Sequence, residues 1–324
     1  MQATRALLLV LSITSLVRAQ APTPLPPAPG RLIDVGGRKL HLLCSGQGEP
    51  TVVLEAGASS FAIDWTLVQR EVSRTNRSCS YDRAGSGWSD ETKPETRASS
   101  AADLHKLMAT AGEKAPFVLV GASRGGLLIR AYLLDYPQDV AGLVFVDPAS
   151  EDRLFTMLNG QGVLIAELTA EQLRTTFPTR SVPIPRRNPQ TGAPFDKLPP
   201  DLYAVRVRLD EQLIASFPDS VPPEVVGHSQ ETERAFLARL LASRSASPHP
   251  LGDRPTVVLS RGVEPNAERD SVHAALARLS SNSRHVVITG SGHEIHLFEP
   301  SAVVQAIADV VRSVREKTPL QPPR

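Results

Sequence analysis

The sequence has no surplus charge of either sign. Its 324 residues carry 35 Lys+Arg against 34 Asp+Glu, a formal net charge of +1. No block of like charges interrupts the chain, so the electrostatic footprint of a nucleic-acid-binding protein is missing and small or uncharged partners are favoured. Cysteine is almost absent, with Cys44 and Cys79 the only two. Two thiols are too few to hold a metal on their own; they form either one disulfide in an oxidising compartment, the favoured reading, or two buried small hydrophobes. Long apolar runs are missing as well. The stretch Ala6–Val17 has only twelve residues, too few to cross roughly 30 Å of hydrocarbon as a helix, and no other segment reads as transmembrane. No internal repeat is visible.

What is present begins with an address. Arg5 supplies a short positive region, Ala6–Val17 an apolar one, and Val17-Arg18-Ala19 small side chains at the two positions a signal peptidase reads. Residues 1–19 are therefore expected to be a signal peptide cleaved after Ala19, leaving a secreted or periplasmic protein with no stable membrane span. "QAPTPLPPAPG" (20–30) follows as a proline-rich extended linker, and 317–324, ending in "TPLQPPR", is a similar loose tail.

From Arg31 the chain alternates two patterns. Apolar, strand-like runs occur at 39–44, 51–56, 77–82, 117–121, 142–147, 256–260 and 285–290. Helical patterns fall at 64–73, 98–111, 125–136, 272–279 and 301–315. Continuous Val/Leu/Ile runs alternating with helices imply a mainly parallel sheet covered on both faces, in an α/β core formed by 31–147 and 256–316. Ligands of such sheets bind beyond the carboxyl ends of the strands. Residues 148–255 break the alternation. They carry helical patterns at 166–176, 200–216 and 230–246, and a structureless loop of that length is improbable, so an inserted helical cap is expected. Its apolar residues (Phe155, Leu158, Leu164, Phe177, Leu202, Tyr203, Leu213, Phe217, Phe236) are expected to roof a mostly apolar pocket.

Within "LVGASRGGLLIRAYL", Gly121-Ala122-Ser123-Arg124-Gly125 reads G-x-S-x-G at the junction of a strand and a helix. In that context the glycines permit a sharp turn that lifts the serine hydroxyl above the sheet edge as a nucleophile. A serine hydroxyl needs a base to take its proton. His293, in the glycine-flanked loop "TGSGHEIHLFEP" after the last strand run, is the candidate. His296 reads as a packing or supporting residue, His285 opens a strand, and His228, His249 and His273 read as solvated.

Taken in order, "YDRAGSGWSD", "GASRGG" and "GSGHEIHLFEP" resemble the α/β-hydrolase fold, and the resemblance covers nearly the whole mature chain. "VVLEAGASS" is similar to that family's oxyanion segment, with Glu55-Ala56-Gly57 where many members have His-Gly. The resemblance implies that the backbone N–H groups of Ala58 and Arg124 form the oxyanion hole. It also implies that the segments holding Cys44 and Cys79 are neighbouring strands, so that a bridge between them is feasible.

The acid of the triad usually follows the seventh strand. No aspartate stands at that distance beyond "TVVLS"; Glu264 does, and Asp270 lies further on. Some members, haloalkane dehalogenases among them, place the acid after the sixth strand, where "GLVFVDPASEDR" offers Asp147, the favoured candidate. The expected activity is hydrolysis of a small or medium carboxylic ester through an acyl-enzyme, with a small-molecule substrate and neither metal nor organic cofactor. An exported aminopeptidase or amidase of the same fold, or a non-catalytic binding protein, are the alternatives.

Overall fold

The computed structural model describes residues 25–90, 97–153, 155–158, 161–169, 171–172, 182–183, 187–221 and 223–321. The expected signal peptide and most of the linker lie outside them, as do parts of the 148–255 segment, including Phe177.

The core is an eight-stranded sheet in the order β1-β2-β4-β3-β5-β6-β11-β12. Its strands are β1 (Arg31–Asp34), β2 (Lys39–Ser45), β3 (Val52–Glu55), β4 (Ser78–Tyr81), β5 (Phe117–Ala122), β6 (Val140–Val146), β11 (Thr256–Arg261) and β12 (Ser283–Ile288). Pairing is antiparallel for β1/β2 and β2/β4 and parallel from β4 to β12. The apolar composition of β5 follows from burial on both faces. Val118, Val120 and Ala122 enter one core cluster, whereas Phe117 and Leu119 enter the other, as the two-residue period of a pleated strand requires.

Helix α1 (Thr66–Val72) and the last helix (Pro300–Glu316) cover the first face. Val303, Ala306, Ile307, Val310 and Val311 form a stripe at helical spacing in that cluster. Helices α2 (Arg97–Ala111) and α3 (Arg124–Asp135) cover the second face through Leu104, Leu107, Leu127 and Leu133. Parallel pairing brings the carboxyl ends of β5, β6 and β11 to one edge, where the candidate site lies.

Three details depart from the sequence reading. Strand β1 is not among the strand-like runs of the sequence: it pairs with β2 across a turn in which Asp34 accepts the Gly36 and Gly37 amides, and only Ile33 of its residues packs on the core. The helix read as 272–279 spans Ala267–Ala277, because the Asn266 side chain caps it by accepting the Arg269 amide at 2.7 Å. Strand β6 ends at Val146, and Asp147 leaves it with φ +40°.

The 148–255 segment is not wholly helical. It contains the antiparallel pair β7 (Phe155–Leu158)/β8 (Gln161–Leu164) and the two-residue pair β9 (Val182–Pro183)/β10 (Ser220–Val221). The helical pattern at 166–176 gives a 3-10 turn over Ile165–Glu167, and most of the rest lies outside the described residues. Helices Pro200–Ser216 and Pro223–Ala246 follow. The first docks on the core: Val205 and Leu209 pack on Phe61 and Ile63, and Arg206 is fully buried beside the rings of Phe61 and Phe195. Two residues assigned to a pocket roof do other work. Phe236 is buried in the core cluster of α2 and α3, and Phe217 is exposed.

Candidate active site

Ser123 stands between β5 and α3 with φ +49° and ψ −120°, a backbone conformation that costs a non-glycine residue on the order of 1–3 kcal/mol. Three hydrogen bonds hold it there. Its N–H donates to Val146 O at 3.0 Å, and its carbonyl accepts the Gly126 and Ala149 amides at 3.0 and 2.9 Å. The flanking glycines are steric necessities. A Cβ on Gly121 would lie 2.6 Å from the Gly125 backbone, and one on Gly125 would lie 2.5 Å from Glu55 O.

His293 and Asp147 come together. Nδ1–H of His293 donates to Asp147 Oδ2 at 2.5 Å, and the other carboxylate oxygen accepts the Arg261 amide at 3.1 Å. Asp147 is buried, and its own N–H donates to Leu259 O at 2.8 Å, which locks the turn that aims it. Burial alone would raise its carboxyl; the His293 hydrogen bond, the Arg261 amide and the charges of His293 and Arg261 outweigh burial and hold it below the ordinary value. With Asp147 ionised, the proton of neutral His293 sits on Nδ1 and leaves Nε2 as an acceptor. Ser123, Asp147 and His293 line one cavity of about 260 Å³, with Pro148, Ala149, Ser150, Arg261, Arg269 and His273.

Glu264 is elsewhere. It is exposed, with φ +55°, and its carbonyl accepts Arg269 Nη1 at 3.3 Å. Asp270 pairs with Arg269. The loop expected to supply the oxyanion donor lies against Ser123: a Cβ on Gly57 would lie 3.4 Å from Ser123 Cβ, and Ala58 follows in an exposed turn.

Four residues of this region were not identified from the sequence. Glu55 is buried and accepts hydrogen bonds from Tyr81 Oη and from Arg83 Nη1, the latter at 2.5 Å. Arg83 also donates to Ala56 O at 2.7 Å and Gly57 O at 2.6 Å, pinning the loop. Arg261, at the end of β11, brings Nη1 to 3.5 Å from Asp147 Oδ2. His273, read as solvated, is in fact buried. Its Nε2 donates to Pro148 O at 2.9 Å, and its Nδ1 meets Ser260 Oγ at 2.6 Å, which in turn meets His285 Nε2 at 2.7 Å. Burial lowers the pKa of both rings. The helical period of Ala267–Ala277 places His273 toward the sheet, and that was the available signal for it. His296 packs its ring on Trp65 at 4.6 Å, and burial lowers its pKa to about 3.

The profile of the alpha/beta hydrolase fold family matches residues 49–300, and the chain belongs to that family. An AB hydrolase superfamily protein of Gibberella zeae is 25% identical over 288 residues, covering 82% of this chain and 88% of that one. The efuK protein of Hormonema carpetanum is 39% identical over 129 residues, 37% of this chain, and the chain spans only 18% of that relative's length. Among solved structures, a thermophilic esterase from Thermogutta terrifontis has a TM-score of 0.56 at 24% identity, covering 86% of this chain and 94% of its own. Est816, described as an N-acyl homoserine lactone degrading enzyme, also has a TM-score of 0.56, at 20% identity, covering 86% of this chain and 99% of its own. At these identities the structural likeness shows the fold. Among the described residues no helix is long and apolar enough to cross a membrane. The cluster of Cys44, Cys79 and Glu113 has its sulfurs within metal-binding reach of each other because they are joined as a disulfide.

Proposed function

We propose that the protein is a serine hydrolase of carboxylic esters that works through an acyl-enzyme. The observation that carries this reading is the 2.5 Å contact of His293 Nδ1 with Asp147 in the cavity that also holds the strained Ser123. In this reading His293 Nε2 takes the Ser123 proton as Oγ attacks the ester carbonyl, and Asp147 stabilises the imidazolium. The tetrahedral oxyanion rests on the N–H groups of Ala58 and Arg124. His293 then gives its proton to the departing alkoxide, the C–O bond breaks, and water activated by the same imidazole releases the acid.

The disulfide supports residence in an oxidising compartment, and export after cleavage at Ala19 is part of the proposal. The packing of Val205 and Leu209 on Phe61 and Ile63 supports a cap role for 148–255.

Fluorophosphonate labelling of the purified protein, read by mass spectrometry, tests the mechanism. Stoichiometric label on Ser123, with ester turnover lost in Ser123→Ala and His293→Ala, is the expected result. Folded protein that takes no label would instead be a non-catalytic binder.

A further inference from the structure

The cavity at Ser123 is lined by charged side chains as well as by Pro148 and Ala149. Its wall carries two guanidinium groups, and their circumstances differ. Arg269 is buried and each of its guanidinium nitrogens has a partner: Nε donates to Asp270, Nη1 to Glu264 O and Nη2 to Arg261 O. Arg261 is held by its backbone, the carbonyl by Arg269 and the N–H by Asp147 Oδ1. Its side chain has one loose ion pair, to Asp147, and makes no hydrogen bond among the described residues. Nε is buried with no hydrogen-bond partner among the described residues, and the carboxylate oxygen that Nη1 approaches, Asp147 Oδ2 at 3.5 Å, is already taken by His293. The side chain remains 30% exposed. Elsewhere arginines such as Arg77, Arg130, Arg187 and Arg244 meet carboxylates within 2.5 to 2.6 Å.

Resting on the serine-hydrolase reading, we propose that Arg261 binds a single carboxylate on the substrate's alcohol part, so that the natural substrate is an ester of a hydroxy acid. A guanidinium beside the reacting groups, with free donors, matches a planar carboxylate in a two-point contact. A doubly charged group such as a phosphate monoester fits worse, because Asp147 stands beside Arg261 and would repel the second charge. The alcohol side follows from the proton's path. The leaving oxygen takes its proton from His293 and must lie against it, and because Arg261 and His293 share the neighbour Asp147 in one cavity, the proposal gives the carboxylate to the leaving part.

The test compares 4-acetoxybenzoate with its neutral methyl ester, and reads the ratio of their kcat/KM values in the wild type and in Arg261→Gln. The ratio cancels any shared effect on the triad. The expected ratio in the wild type favours the carboxylate by about 10- to 100-fold after correction for the esters' uncatalysed rates. Arg261→Gln removes that preference and Arg261→Lys restores part of it. A wild type that does not favour the carboxylate, or a ratio unchanged in Arg261→Gln, overturns the proposal. The 4-nitrophenyl esters of butyric and glutaric acid put the charge in the acyl part; an Arg261-dependent preference there overturns the alcohol-side placement. Calorimetric binding of 4-acetoxybenzoate to Ser123→Ala, weakened at least about tenfold by adding Arg261→Gln, supports the site without turnover, and no binding overturns it. Loss of Ser123-dependent turnover of the neutral ester would count against the hydrolase reading itself, so the two failures are separable.

Discussion

His293 Nδ1 and Asp147 Oδ2 lie 2.5 Å apart although 146 positions separate them in the chain. The contact depends on backbone at both ends. Asp147 leaves β6 with φ +40° and is fixed by Leu259 O and the Arg261 amide, and His293 hangs from the loop after β12, two strands away.

Asp147→Asn should keep this geometry but offer His293 an amide, which favours the wrong tautomer and cannot stabilise the imidazolium. The expected loss in kcat is as much as about 10⁴. Glu264→Gln alters an exposed side chain and should cost little. Measuring kcat for both variants on one activated ester, with circular dichroism to confirm folding, checks the pair; collapse of the Glu264 variant would place the acid after β11.

The disulfide joins Cys44 to Cys79 at directly paired positions of β2 and β4, 35 residues apart in sequence. Closing such a loop should contribute about 4 kcal/mol in the chain-entropy model. The double variant Cys44→Ala/Cys79→Ala should lose on the order of that amount in denaturant unfolding. Titration of the non-reduced, denatured protein should find no free thiol; two would refute the bridge.

The sequence exposes these features to different degrees. Buried parallel strands announce themselves as Val/Leu/Ile runs, and G-x-S-x-G owes its visibility to a steric demand that only glycine meets at 121 and 125. Strand β1 leaves little trace in the sequence because its residues are mostly exposed, so no apolar run marks it, and its pairing with β2 is set by the fold. Arg83 and Arg261 were missed for a related reason. A guanidinium's role depends on which carbonyls and carboxylates the fold brings within reach, and no local pattern encodes that. Glu55 was noticed only as a departure from the family's usual His-Gly, whereas its function lies in contacts with Tyr81 and Arg83, more than 25 residues away.

Asp64 gives the molecule a definite response to pH. It is fully buried, and burial lifts its carboxyl from 3.8 to about 6 against the attraction of Arg206, whose Nε is 3.4 Å from Asp64 Oδ1. A carboxyl raised on folding favours the protonated native state. Its stabilising contribution is complete below about pH 4 and is lost as pH rises through about 6, an amount of about 3 kcal/mol. Asp64→Asn cannot titrate. The stability difference between wild type and Asp64→Asn should therefore shift against the wild type by about that amount between about pH 4 and pH 7, measured by urea unfolding. A difference that stays flat across this range would show that Asp64 ionises as easily folded as unfolded.

Arg83 supplies the last prediction, because it holds the loop proposed to stabilise the oxyanion without touching the substrate. Its Nη1 binds Glu55 and Ala56 O, its Nη2 binds Gly57 O, and Gly57 stands against Ser123. Arg83→Met would leave the Glu55 carboxylate buried beside Tyr81 with its cation gone, and two loop carbonyls without their donor. The amide that follows them, on Ala58, should then lose its alignment with the tetrahedral intermediate more than with the ground-state ester. Removing an oxyanion donor outright costs about 10²–10³ in kcat, and loosening one should cost up to that amount. KM should change little, because the ground state never depended on the alignment. Arg83→Lys keeps the charge but has a single ammonium for three acceptors, so it should recover part of the loss. The discriminating measurement is the affinity of a boronic acid that forms a tetrahedral adduct on Ser123. It should weaken in step with kcat across Arg83→Lys and Arg83→Met. If both variants unfold more easily yet bind the boronic acid as the wild type does, Arg83 supports the fold and leaves the oxyanion loop alone.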